Sequence, residues 1–226
     1  MKKADIALLI INIYILISTT IITIWGIIGG ANSGQFGNDM IGLGFLKAFT
    51  NLSNILMGIC SLLPIINLLA KKTKLTSRQS SIYLMGVNGV VITFLTVLFF
   101  LAPVSAISNG INGFINSYKG FLFFFHFLNP ILAVVSFFMI RQNKQHSIYT
   151  ALLSTIPVVL YSFLYMYNVL ITKAWNDFYG FTFGGKYHII PFVLIIMYGV
   201  SFIVGFTLTK LKNTQNKENH TLSRQK

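Results

Sequence analysis

IALLIINIYILISTTIITIWGII, residues 6–28, carries no charged side chain and shows no alternation of apolar with polar residues. A helix of about 20 apolar residues spans the ~30 Å hydrocarbon core of a bilayer. Lipid offers no water to backbone N–H and C=O groups, so only helices and closed barrels can cross it. A barrel strand would alternate apolar and polar side chains over ~10 residues. This run does not, so it predicts a helix. Lys2 and Lys3 precede it, as in a secretory leader. Its apolar stretch is longer than the ~7–15 residues of a leader core, and no Ala-x-Ala cleavage site follows. It is read as the first membrane span.

The pattern recurs five times. Further apolar blocks occupy residues 43–69, 82–101, 120–140, 148–171 and 189–209. Pro103 is expected to end the third block. The Asn-Gly pairs at 109–110 and 112–113 suit a turn that needs positive φ. A glycine-rich phosphate cradle is the sharper reading of that segment, but no Gly-Lys-Ser/Thr follows it. A polar Gly/Asn/Ser loop is expected over 30–39. Residues 172–187 form an aromatic loop whose Trp175, Tyr179 and Phe181 suit a membrane interface.

Composition agrees. The 226 residues are 54% hydrophobic and 9% charged, with a mean hydropathy of +0.72. A soluble domain carries roughly a quarter charged residues. The net charge of +13 does not describe a nucleic-acid face, because the cations are not gathered on one soluble surface among aromatics. They sit in short clusters between the apolar blocks, which is how membrane orientation is encoded. Lys2, Lys3, Lys71, Lys72, Lys74, Arg78, Arg141, Lys144, Lys210, Lys212, Lys217, Arg224 and Lys226 fall on one side of six spans, and Lys119, Lys173 and Lys186 on the other. That asymmetry of 13 to 3 predicts cytoplasmic termini. The expected architecture is an all-α bundle of six transmembrane helices over 1–209, with a basic, disordered cytoplasmic tail over 210–226. The Ile-, Lys- and Asn-rich composition hints at a bacterial source and a cell-membrane location.

Cys60, the sole cysteine, reads as a small buried hydrophobe. The acids are Asp5, Asp39, Asp177 and Glu218, none at bilayer depth. Paired-carboxylate chemistry, a buried acidic proton relay and a metal-ligand cluster are therefore absent from the reading, and no cofactor is expected. His146 and His220 fall in polar segments and are expected to be solvated.

Polar side chains at membrane depth cost free energy unless paired or facing a cavity, and they mark candidate sites. Lys47, Thr50, Asn54 and Ser61 recur at helical spacing in the second block and would share one face. At ~1.5 Å per residue, Thr50 lies ~10 Å below the outer end. His126 in the fourth block sits at nearly the same depth. A hydroxyl and an imidazole at one level can form a nucleophile–base pair. Asn51 and Asn54 are candidate donors to an oxyanion, Lys47 a candidate partner for a substrate carboxylate, and Asn129, Tyr165 and Asn168 further candidate contacts. The competing reading is that intramembrane Thr and Ser are interhelical glue, which suits Ser53, Ser61, Thr93 and Thr96. Lys47 can also snorkel to the interface.

Phe49-Thr50-x-x-Ser53-Asn54, His126-x-x-x-Pro130 and Tyr161-x-x-x-Tyr165-x-x-x-Val169 resemble the androgen-induced and androgen-dependent TFPI-regulating membrane proteins and their bacterial six-helix relatives. The likeness covers most of the chain in layout. It implies an intramembrane hydrolase of fatty acid esters of hydroxy fatty acids, with Thr50 as nucleophile and His126 as its partner, acting on a lipid-like ester within the membrane. The chain departs from the pattern after Pro130, where it reads Ala133-Val-Val-Ser136-Phe, and at Tyr161-Ser162, where family members carry Tyr-Pro. The alternative is a non-enzymatic, small-molecule-binding subunit of a transporter.

Overall fold

The computed structural model describes residues 2–28, 42–143 and 145–224, with side chains described through Lys217. The expected polar loop over 30–39 and the side chain of His220 lie outside the described residues. The chain is all-α, with six helices among the described residues long and apolar enough to cross a membrane.

The first span is α1 (Lys3–Ile27). A 3₁₀ turn (Gly42–Lys47) leads into α2 (Phe49–Leu69). The third span is composite: α3 (Ser77–Thr96), a π turn (Val97–Leu101) and α4 (Ala102–Asn116). The fourth joins the short α5 (Phe121–Phe123), a π turn (Phe124–Leu128) and α6 (Asn129–Met139). The fifth is α7 (Ile148–Ser154), α8 (Ile156–Met166) and a π turn (Tyr167–Ile171). The sixth is α9 (Ile190–Arg224). α3 is the central helix, touching α2, α6, α7, α8 and α9, while α1 packs on α2 and α6. Two two-residue strands, β1 (Lys74–Leu75) and β2 (Arg141–Gln142), pair in parallel at one end of the bundle.

Three boundaries differ from the sequence expectation. Helix continues past Pro103, because the preceding π turn sends the Ala102 N–H to the Val97 carbonyl and reshapes the turn that a proline would otherwise break. The Asn-Gly segment is helical rather than a plain loop. Only Gly110 leaves helical geometry (φ 61°, ψ −161°), and there the chain folds back. Gly113 then packs so closely on the Ser105 backbone that a β-carbon would clash with its carbonyl oxygen. Finally, helix runs on from Thr209 to Arg224. The basic segment expected to be disordered, residues 210–224, holds no proline or glycine to break the helix.

Polar side chains join the spans in tiers. Asn12 Nδ2 donates to Ser136 Oγ (2.8 Å), and the Tyr83 hydroxyl lies 2.7 Å from the same oxygen. Ser53 bonds Thr93 (2.9 Å), in the role of interhelical glue. Asn88 Nδ2 faces the carbonyl and hydroxyl oxygens of both Ser154 and Ser201 at 2.9–3.1 Å. Each pairing offsets the cost of a polar group in a medium without water. His146 also departs from expectation: it stacks on Phe137 (5.7 Å), and its backbone is held by Asn213 on α9.

Candidate functional site

The site lies where the first turns of α2 meet the π turn of the fourth span. Thr50 and His126 are both buried, at 7% and 5% exposure. Their turns are joined through Asn54, which is fully buried. Asn54 Nδ2 donates to the Thr50 carbonyl (2.9 Å) and to the Phe125 carbonyl (3.1 Å), and Asn54 Oδ1 accepts from Asn129 Nδ2 (3.1 Å). Asn129 in turn reaches Thr19 (3.4 Å) and Ser18 (3.2 Å) on α1.

The contact to Phe125 has a cause in the sequence. In the π turn the Asn129 N–H bonds to the Phe124 carbonyl. Continuing that register, the Phe125 carbonyl would take the N–H of residue 130, but residue 130 is proline and has none. A carbonyl in hydrocarbon needs a donor, and Asn54 supplies it from the neighbouring helix.

His126 Nδ1 lies 2.7 Å from the Ser117 carbonyl oxygen. A carbonyl only accepts, so Nδ1 carries the proton, and in the neutral ring Nε2 is left as the basic nitrogen. Tyr118 packs edge-on against the imidazole (6.4 Å), and its buried hydroxyl has no hydrogen-bond partner among the described residues. Asn51 Oδ1 and Thr23 Oγ1 share that condition. Such atoms call for an explanation, and two of the three belong to residues next to the site.

Thr50 is held by a side chain that sequence reasoning placed only at the membrane interface. Tyr179, in the 172–186 loop, inserts its hydroxyl at the start of α2. Its oxygen accepts from the Phe49 N–H (3.0 Å) and interacts with the Thr50 backbone and with the hydroxyls of Thr50 and Tyr161. Free N–H groups at a helix start bind oxygen with partial or full negative charge. The phenol oxygen occupies that position at the start of α2. Burial pushes the Tyr179 phenol above its ordinary range, so it remains protonated.

The loop is fastened around Asp177. Its carboxylate accepts from the Phe181 N–H (2.9 Å), the Thr182 N–H (2.7 Å), the Thr182 hydroxyl (2.6 Å) and the Tyr165 hydroxyl (2.7 Å). Burial alone would raise its pKa, but these donors outweigh it and hold the carboxyl below the usual range. Tyr165 Oη also accepts from the Tyr179 N–H (3.0 Å). The Tyr161 hydroxyl donates to the Lys47 carbonyl (2.7 Å).

The remaining candidates are distributed differently. Lys47 precedes α2 in the 3₁₀ turn, so helical phase does not extend to it. Asn51 Nδ2 is committed to the Phe45 carbonyl (2.7 Å), and Asn54 Nδ2 to two carbonyls. Asn168 Nδ2 bonds back to Leu164 of its own helix (2.8 Å). Hydrogen bonds link Asn54 to the Thr50 and Phe125 carbonyls and to Asn129, and link Tyr179 to Thr50, Tyr161 and Tyr165, while His126 adjoins this set through its chain neighbour Phe125. Among the described residues no His/Cys/Asp/Glu group could hold a metal ion. No known protein family, characterised protein or solved structure matches the chain.

Proposed function

We propose that this protein is an intramembrane lipid-ester hydrolase of the bacterial cell membrane with cytoplasmic termini, in which Thr50 is the nucleophile and His126 the base. The observation that carries this reading is the Asn54 bridge, which fixes the turn of Thr50 to the turn of His126 while Ser117 holds the imidazole with Nε2 basic. Attack begins when the Tyr179 hydroxyl gives up its place. The ester carbonyl oxygen takes the Phe49 and Thr50 N–H groups, and those dipoles stabilise the charge that develops there. Thr50 Oγ bonds to the carbonyl carbon as its proton passes to His126 Nε2. The same proton leaves with the departing alcohol. Water, deprotonated by His126, then releases the acid and restores Thr50. A substrate already dissolved in the bilayer needs no soluble domain to deliver it.

Thr50→Ala and His126→Ala each lower hydrolysis of a fatty acid ester of a hydroxy fatty acid by a factor of about 10² or more, with membrane insertion intact. A fluorophosphonate probe labels Thr50 in the native chain. Full turnover by either purified variant would sink the reading.

A binding subunit without catalysis is the second reading, and one observation favours it. The Thr50 hydroxyl interacts with Tyr179, and the imidazole's Nδ1 faces Ser117, so each is already engaged elsewhere. A water-soluble ligand that raises the melting temperature of both Ala variants, with no probe labelling of Thr50, would select it.

A further inference from the structure

At the opposite end of the bundle from Thr50 is a cavity of about 510 Å³ between the start of α1, the end of α6 and the distal part of α9. Its size falls within the ~300–1,000 Å³ typical of small-molecule sites. The two ends of its wall differ chemically. Val134, Val135 and Phe138 line one part, and Val135 is 42% exposed on the apolar outside of the bundle. Arg141, Lys212 and Gln215 line the other. The division falls where the apolar run of α6 gives way to Arg141, the boundary between acyl chains and headgroups.

The two cations differ in how they are held. Arg141 pairs with Asp5 at 3.5 Å. Lys212 is 2% exposed, and its ammonium donates to the Phe138 carbonyl (2.6 Å) and to Gln215 Oε1 (3.1 Å). Both acceptors are neutral, and among the described side chains no carboxylate pairs with Lys212. A buried ammonium without a counter-ion is costly. One carboxylate therefore faces two cations lining a single cavity, which leaves a positive charge to be matched.

We infer that this cavity binds an anionic phospholipid from the leaflet on the side of the termini, its phosphate on Lys212 and Arg141 and the upper part of one acyl chain along Val134, Val135 and Phe138. A basic pocket between transmembrane helices is a recognised way to hold such headgroups. A free anion would satisfy the cations but not the apolar wall, and a neutral lipid the reverse. The site is separate from Thr50 and stands whether or not the chain is a hydrolase.

The test uses the full chain purified in neutral detergent and stripped of lipid. Melting temperature and lipid retention by native mass spectrometry are measured with phosphatidylglycerol, phosphatidylcholine or inorganic phosphate added. Phosphatidylglycerol is expected to be retained and to raise the melting temperature, and the other two are not. Lys212→Met is expected to weaken retention by about fivefold to tenfold, given roughly 1 kcal/mol per cation. Because Lys212 also holds the Phe138 carbonyl, Val135→Trp serves as a second variant that fills the apolar part without touching those hydrogen bonds. It is expected to weaken retention comparably, while Lys71→Met on the exposed surface leaves it unchanged. Equal effects of the two lipids, an equal effect of inorganic phosphate, or undiminished retention by Val135→Trp would each overturn the inference.

Discussion

Asn54→Leu tests the junction on which the site is built. The substitution keeps side-chain volume and removes three hydrogen bonds, to the Thr50 carbonyl, the Phe125 carbonyl and Asn129. Two of these losses are mild. The Thr50 carbonyl keeps Ser53 Oγ (3.0 Å), and Asn129 Nδ2 keeps Thr19 Oγ1. The Asn129 bond is interhelical, a class that averages about 0.6 kcal/mol in membranes, and the Thr50 bond, within α2, is taken at a similar value. The third is different in kind, because Pro130 leaves the Phe125 carbonyl without a helical donor. A buried acceptor stranded in this way costs about 1–3 kcal/mol. The total is about 2–4 kcal/mol, measurable by reversible unfolding in mixed micelles. Pro130→Ala separates the causes, since alanine supplies the missing N–H to that carbonyl. In the Pro130→Ala background Asn54→Leu should therefore cost about 1 kcal/mol less or better. If the cost is the same in both backgrounds, to within about 0.3 kcal/mol, the carbonyl is not stranded and the proposed cause of the Asn54 contact is wrong.

Tyr179→Phe removes the hydroxyl from the start of α2. It should raise the rate of fluorophosphonate labelling at Thr50 severalfold, because the probe no longer competes with the phenol for the helix N–H groups; slower labelling would mean the phenol assists rather than blocks. Tyr165→Phe deletes one donor to Asp177 and the acceptor for the Tyr179 N–H, so amide exchange across 172–186 should quicken by about tenfold while the spans stay protected. Two pH windows should be distinct. Burial, then the nearby Lys212 charge, holds the His146 imidazole down at about 4, so its contribution is complete above ~6.5 and is lost as pH falls through 4. Asp177 is also held below its ordinary value, so the loop keeps its protection above ~4 and loses it only at more acid pH. Exchange at Phe181 and Thr182 reads the second window, and Asp177→Asn should flatten it. Gly86→Val places methyl groups where a β-carbon alone would already lie 3.1 Å from Cys60 Sγ and 3.2 Å from the Met57 α-carbon. Overpacking of this kind costs about 1–3 kcal/mol, which should appear as a lower unfolding midpoint, and unchanged stability would contradict the close α2–α3 contact.

The six spans were legible because hydrophobic length is a property of the chain alone. The depth reckoned for Thr50 assumed α-helical rise from residue 43, whereas Gly42–Lys47 form a 3₁₀ turn and α2 begins at Phe49, so that reckoning does not run along one helix. Which atoms the Thr50 and His126 side chains engage could not be reckoned. That depends on the 172–186 loop, whose aromatic composition suggested an interface but not that Tyr179 enters the start of α2. The fate of Lys47 was hidden for a local reason: a 3₁₀ turn follows a different period from an α-helix, so the spacing of three between Lys47 and Thr50 carries no common face. His146 looked solvated because its neighbours in sequence are polar. Its neighbours in space, Phe137 and Asn213, come from other segments.

The π turns carry the subtler lesson, because two of them have a signal in the sequence. Pro103 and Pro130 each stand two residues beyond a π turn, Val97–Leu101 and Phe124–Leu128. A proline deep in a span denies one carbonyl its donor and crowds the carbonyl four residues back. In water the helix could end there. In lipid, ending would expose more backbone than widening by one residue. The widened turn keeps the span continuous and passes the remaining deficit to a side chain on another helix. His126 lies inside such a turn, and the carbonyl beside it is the one Asn54 serves. The proline therefore does more than bend the fourth span: it creates the vacancy that draws α2 against it, and with α2 comes Thr50. A polar side chain opposite a span-interior proline is thus a contact that can be sought in the sequence before any coordinates exist.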